Sequence, residues 1–267
     1  MAVRDNEAGV DLGAETCAEF VLTVAAGKRL IGKGVAALPA VKRAMHEGMV
    51  AVGKGTTNAY VLEELLGHPI DKGGYALGAT MPPGGPPRER VFAGNVPEAV
   101  FREGRLVDGL GVQDAVHQMR PGDVVIKGAN ALDYENGIAG LLVGHPAGGT
   151  LGGTIGSVFG RKLHLIIPVG LEKQVCGGLE AAESVLLELG PQAQGVPSLW
   201  CFRGEIVTEI EALELLSGCD VYQIGAGGVA GAEGSSRLLA VGPEKQVRQA
   251  QAVVAEVGNE APFWTEG

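Results

Sequence analysis

The chain has 267 residues with a formal net charge of −10, 46% apolar and 19% charged residues, 4% aromatics and 44 glycines, a size and make-up suited to one large α/β domain with a small appendage. The acidic balance, with no basic stripe, excludes a nucleic-acid surface, which needs clustered Lys and Arg to displace counterions from phosphates. Four cysteines, Cys17, Cys176, Cys201 and Cys219, lack the paired spacing of a zinc site or a disulfide framework, so reduced thiols and no metal are expected.

The opening residues 1–7 are acidic where an export signal would be basic, so a soluble, cytoplasmic protein is expected. Residues 16–26 and 34–48 carry helical spacing, with Val35, Leu38, Val41 and Met45 recurring at intervals of three or four, and they predict two opening helices. A strand over 49–52, a glycine turn over 53–58 and a helix over 59–66 follow, the helix ended by Gly67 and Pro69. Residues 71–87, dense in Gly and Pro, read as a surface loop with one short strand at 75–77. A β-hairpin over 99–107 turns through Gly104, although 95–102 also has helical character. A helix over 112–119, a strand over 123–126, a strand over 138–143, a glycine-opened helix over 148–159 and a strand over 163–168 complete this part. The uncharged stretch 138–160 is interrupted by Pro146 and many glycines and falls short of the roughly 20 strongly apolar residues of a membrane span.

Apolar strands without alternation, separated by helices, imply a three-layer, mostly parallel sheet with helices on both faces. Beyond a linker at 191–197 the pattern becomes strand (198–202), helix (207–216), strand (221–224), glycine loop (225–234), strand (237–241) and helix (244–257). It predicts a small C-terminal α+β (βαββα) layer, giving domains 1–193 and 194–267.

The turn Gly53-Lys54-Gly55-Thr56-Thr57-Asn58 follows a strand and opens a helix. Its bare backbone, free helix-start amides, hydroxyls and Lys54 suit phosphate or carboxylate. The spacing matches neither a P-loop nor a dinucleotide fingerprint, and an ordinary strand-to-helix turn capped by Thr57 is the alternative. Lys127-Gly128-Ala129-Asn130-Ala131-Leu132-Asp133-Tyr134-Glu135 follows another strand, on the carboxyl edge where ligands of parallel sheets collect. Lys127, Asp133 and Glu135 could move protons there, with Asn130 orienting a substrate; otherwise this is a polar loop whose side chains cap one another. Gly148 and Gly149 before Thr150 read equally as a second anion cradle or as a close helix contact. Glu172 and Lys173 follow a third strand and read as a solvated charge pair. The five histidines show no metal spacing, and no GxSxG nucleophile elbow occurs.

The segment Ala44-Met45-His46-Glu47-Gly48-Met49-Val50-Ala51-Val52-Gly53-Lys54-Gly55-Thr56-Thr57 resembles the opening of the superfamily that contains ribose-5-phosphate isomerase A, glucosamine-6-phosphate deaminase and the class I coenzyme A transferases. Lys127-Gly-Ala-Asn-Ala-Leu-Asp133 is similar to the isomerase's Asp-Gly-Ala-Asp-x-Val-Asp, with Lys127 and Asn130 in place of two aspartates. Gly148-Gly149, the strand over 163–167 and Lys173 continue the likeness. It implies a sugar-phosphate isomerase-like enzyme without a cofactor, with Gly53, Lys54, Gly55, Thr56, Thr57, Asn58, Asn130, Gly148, Gly149 and Lys173 binding substrate and Asp133, Glu135 and Lys127 carrying the chemistry. Glu135-Asn136-Gly137-Ile138-Ala139-Gly140-Leu141 also resembles the transferases' Ser-Glu-Asn-Gly-x-x-Gly-Leu, which would make Glu135 an acyl-accepting nucleophile. A metabolite sensor without catalysis is the third reading. The partners expected are a small anionic metabolite and further copies of the chain in a homo-oligomer, with no nucleic acid and no membrane.

Overall fold

The computed structural model describes residues 15–264. Four short strands, β2 (Met49–Val52), β5 (Val124–Ile126), β8 (His164–Pro168) and β10 (Glu205–Val207), run parallel. The hairpin of β3 (Ala99–Arg102) and β4 (Arg105–Leu106) extends them antiparallel from β2, giving the six-stranded order β10-β8-β5-β2-β3-β4. Chain reversal at this hairpin puts Glu103 and Gly104 at positive φ, 49° and 74°.

Because successive side chains of a strand face opposite ways, the uninterrupted apolar runs are divided between two cores. Val50, Val52, Val124, Ile126 and Ile166 pack with residues of α1 (Val24–Ala37), α3 (Thr56–Leu66) and α8 (Glu209–Ser217). Met49, Ala51, Val125, Leu165 and Ile167 pack with α5 (Val112–Ala115) and α6 (Gly149–Gly160). Helices therefore cover both faces, and the α/β class read from those runs holds. No helix among the described residues is long and apolar enough to cross a membrane.

Residues 16–26 do not form one helix. Thr16–Leu22 is a strand (β1) in seven-residue antiparallel register with β12 (Ser236–Gly242), from Thr16↔Gly242 to Leu22↔Ser236. The helix starts only at Val24, where the Thr23 hydroxyl accepts from the Ala26 amide at 3.2 Å. The second expected helix is also divided. Leu38, extended because Pro39 follows it, ends α1, and Pro39 opens α2 (Pro39–Glu47), as the proline's missing N–H and steric demand on its predecessor dictate.

The boundary expected near residue 194 does not divide the sheets. β9 (Ser198–Phe202) pairs with β7 (Ile138–Val143), which also pairs with β6 (Ala131–Asp133). β10 completes the central sheet, while β11 (Asp220–Ala226) and β12 join the N-terminal β1. The expected order of C-terminal elements is present, with β10 added after the first strand, but the strands are spread over three sheets, because β9, β10 and β12 each pair with a strand from an earlier part of the chain. Sequence reading assigned no element to α7 (Leu179–Leu189), in which Leu179 is the buried residue.

Gly34 shows how tightly the C-terminal part is bound to the rest. A Cβ there would lie 2.5 Å from Ala212 Cβ and 2.7 Å from Ala212 Cα on α8, so α1 and α8 touch almost backbone to backbone. Gly34→Val should lower unfolding stability by about 2 kcal/mol or more, read as a shift of the urea midpoint at constant slope. A change below about 0.5 kcal/mol, the range of a neutral surface site, would contradict this packing.

Candidate functional site

The carboxyl ends of β2, β5 and β8 open into a cleft of about 1020 Å³. After β2, Gly53 N–H stays in the sheet by donating to Ile126 O at 2.9 Å, and Gly55 N–H donates to Tyr75 O at 2.9 Å. Tyr75 is itself fixed, its hydroxyl donating to Val52 O at 2.6 Å and accepting from Ala99 N–H at 3.3 Å. Asn58 Nδ2 donates back to Gly53 O at 2.7 Å and closes the turn. Ala59 N–H is the first amide of α3 to bond along the helix, to Gly55 O at 2.9 Å. The amides of Thr56, Thr57 and Asn58, all residues of the cleft wall, thus form the electropositive open end of the helix. The Thr57 hydroxyl and Asn58 Oδ1 are buried without a protein partner. Gly55 is extended, at φ 170°, and a Cβ on it would meet only Asn58 at ordinary contact. Its value is the bare approach it leaves to the helix start.

The loop after β5 contributes Lys127, Gly128, Ala129 and Asn130 to the same wall, and the turn after β8 contributes Glu172 and Lys173. Lys127 Nζ donates to Gly128 O at 3.0 Å and Lys173 Nζ donates to the next carbonyl, Ala129 O, at 2.7 Å. Lys28 of α1, Lys54 and Arg88 also line the cleft, making five cationic side chains against the single carboxylate of Glu172 among the lining residues. Lys28 pairs with Glu172 at 3.0 Å, Lys54 donates to Asn95 Oδ1 at 2.8 Å, and Arg88 donates to Leu77 O and lies over the Phe92 ring. Among the described residues, Lys54, Arg88, Lys127 and Lys173 have no ion-pair partner.

Gly148, Gly149 and Thr150 bring the start of α6 to the cleft, and the first of these glycines makes a close contact. Gly148 and Gly149 have φ of 76° and 59°, and a Cβ on Gly148 would lie 2.8 Å from the Trp200 ring. The glycines are required by the turn, and the turn delivers the helix start to the cleft.

Gly53 is buried beneath the cleft between Lys127 and Thr150. Asp133 and Glu135 are not brought to the cleft wall. Asn130 opens β6 at the cleft, where its Oδ1 accepts from Leu142 N–H at 3.0 Å, but β6 then carries Asp133 away by about 10 Å of extended chain. Asp133 is buried and closes the β6–β7 turn by accepting from Asn136 N–H and Nδ2 at 3.0–3.2 Å, and Glu135 is exposed in that turn.

Sequence reasoning missed Lys28 and Glu209. Glu172 pairs not with its neighbour Lys173 but with Lys28, 144 positions earlier. Buried Glu209 accepts from Leu171 N–H at 2.9 Å, and a Cβ on Gly27 would lie 2.4 Å from its Oε1. Burial, and then the negative Glu172, push the Glu209 carboxyl up to about 7. The one signal in the sequence was Gly27-Lys28 on α1, a small residue beside a charge. No set of three His, Cys, Asp or Glu side chains among the described residues is placed to hold a metal ion. No family model, curated protein or solved structure matches the chain.

Burial, then the neighbouring Lys173, push the Lys127 ammonium down to about 8. Burial likewise lowers Lys173 to about 8, with Glu172 opposing it. Both folded values lie below the ordinary 10.5, so the unfolded chain holds more protons between about 8 and 10.5, and stability from these groups rises with pH across that window. Below 8 the penalty is complete. Lys127→Met should therefore be more stable than wild type at pH 7 by about 1–2 kcal/mol, with the gap closing by pH 10 in urea melts. A gap that does not change with pH would contradict a desolvated, repelled ammonium.

Proposed function

We propose that this chain binds a small phosphorylated or carboxylated metabolite at the carboxyl edge of its sheet. The observation that carries the reading is the pair Lys127 and Lys173, held on consecutive carbonyls with no ion-pair partner for either among the described residues, in the wall that includes the start of α3. Two close cations in a partly desolvated cleft repel, and an anion between them removes that repulsion while accepting the amides of Thr56 to Asn58. Lys54 and Arg88 add donors at the rim, and Asn130 and Thr150 flank the remainder of the ligand.

An aldose-ketose type isomerisation remains the favoured chemistry. Its proton-moving carboxylate is Glu172, the acidic group of the cleft wall, in place of Asp133 and Glu135. Acyl transfer through Glu135 needs that carboxylate at the ligand, and its place on the hairpin turn gives the transfer reading no support.

Sulfate tests the site, since it carries the charge of a phosphate without titrating near neutrality. Calorimetry at pH 7 should record binding that Lys127→Met and Lys173→Met each weaken by about tenfold or more, roughly 1.4 kcal/mol, and that Asp133→Asn and Glu135→Gln leave within about twofold. Affinity should fall as pH rises through about 8, where both lysines lose their protons. Equal binding by all four variants would remove the lysine pair from the site.

A further inference from the structure

The surroundings of Lys127 suit an amine that reacts as well as a cation that binds. Its stem passes Gly53, where a Cβ would approach its Cδ to 3.4 Å, and its Nζ is fixed at 3.0 Å on Gly128 O inside the cleft. Lys173, on the adjoining carbonyl at 2.7 Å, is a second cation of the same cleft wall whose charge acts on Lys127. A desolvated lysine next to another positive charge keeps part of its amine neutral and nucleophilic at neutral pH.

We propose that Lys127 forms a Schiff base with a carbonyl-bearing anionic ligand, an aldehyde or ketone whose charged end rests at the start of α3; this depends on the anion site described above. The Lys127 lone pair forms the C–N bond as the carbonyl π electrons move to oxygen. The carbinolamine then loses that oxygen as water, taking one proton from the Lys173 ammonium and leaving a protonated imine on Lys127. One positive charge is present before and after, and neutral Lys173 no longer repels it. With its value near 8, about a tenth of Lys127 is neutral at pH 7, against fewer than about one in a thousand of ordinary lysines.

The full chain is incubated separately with glyceraldehyde 3-phosphate, ribose 5-phosphate and pyruvate, with glycerol 3-phosphate as the probe lacking a carbonyl, and each mixture is reduced with borohydride. The expected result is the mass of a carbonyl probe less an oxygen atom on the peptide containing Lys127, formed faster as pH rises toward 8, suppressed by excess sulfate and absent with glycerol 3-phosphate. Lys127→Arg should lose the adduct and keep sulfate binding by calorimetry, which shows that the variant is folded. Sulfate binding with no Lys127 adduct from any carbonyl probe, or adducts formed as fast on exposed lysines as on Lys127, overturns the proposal. A Lys127 adduct without sulfate binding would instead sink the anion site and leave the imine standing.

Discussion

Two ammonium groups held on adjacent carbonyls of one loop are the feature around which this cleft is built. They come together because β5 and β8 are parallel neighbours, paired from Val124↔His164 to Ile126↔Ile166. The loops leaving their carboxyl ends emerge side by side, and the fold holds them there through two apolar cores. The strands contribute rigidity and direction, and the loops contribute charge. Since β2 lies on the other side of β5 in the same direction, the turn that opens α3 faces the same opening. A chain of net charge −10 thus concentrates five cationic side chains along one cleft, where low-dielectric walls focus their field toward an incoming anion.

An acid in the cleft wall and a buried one behind it set its shape. Glu172 holds Lys28, and Glu209 holds the amide of Leu171, so the short turn carrying Lys173 is fixed from both ends. This arrangement requires glycine at 27, where Glu209 occupies the space of a Cβ, and at 170, where Glu172 Oε2 does so. Glu172 Oε2 has no hydrogen-bond partner. Burial first, and then the like charge of Glu172, push Glu209 toward neutrality. The β10 and α8 segments that carry this support come from the C-terminal part of the chain, so the cleft cannot be separated from residues beyond 194.

The glycine turn and the Lys127 loop were legible because both follow short, wholly apolar strands, and the carboxyl edge of a parallel sheet is where such loops meet. Asp133 and Glu135 misled because nearness in sequence to Lys127 was taken as nearness in space, whereas β6 is extended and carries them off. Lys28, Glu172 and Glu209 meet only through packing of α1 on α8, a contact with no local sequence signature beyond small residues such as Gly27 and Gly34. Residues 16–22 carry apolar spacing that fits a helix and a strand alike, and the edge offered by β12, over two hundred positions away, decides between them.

Lysine Nζ titrations followed by NMR of the side-chain methylenes would test the repelled pair most directly. Two lysines, identified by Lys127→Arg and Lys173→Arg, should titrate near 8 in the ligand-free protein and move upward when sulfate is added. Titration of both at the ordinary value near 10.5, unmoved by sulfate, would contradict the account.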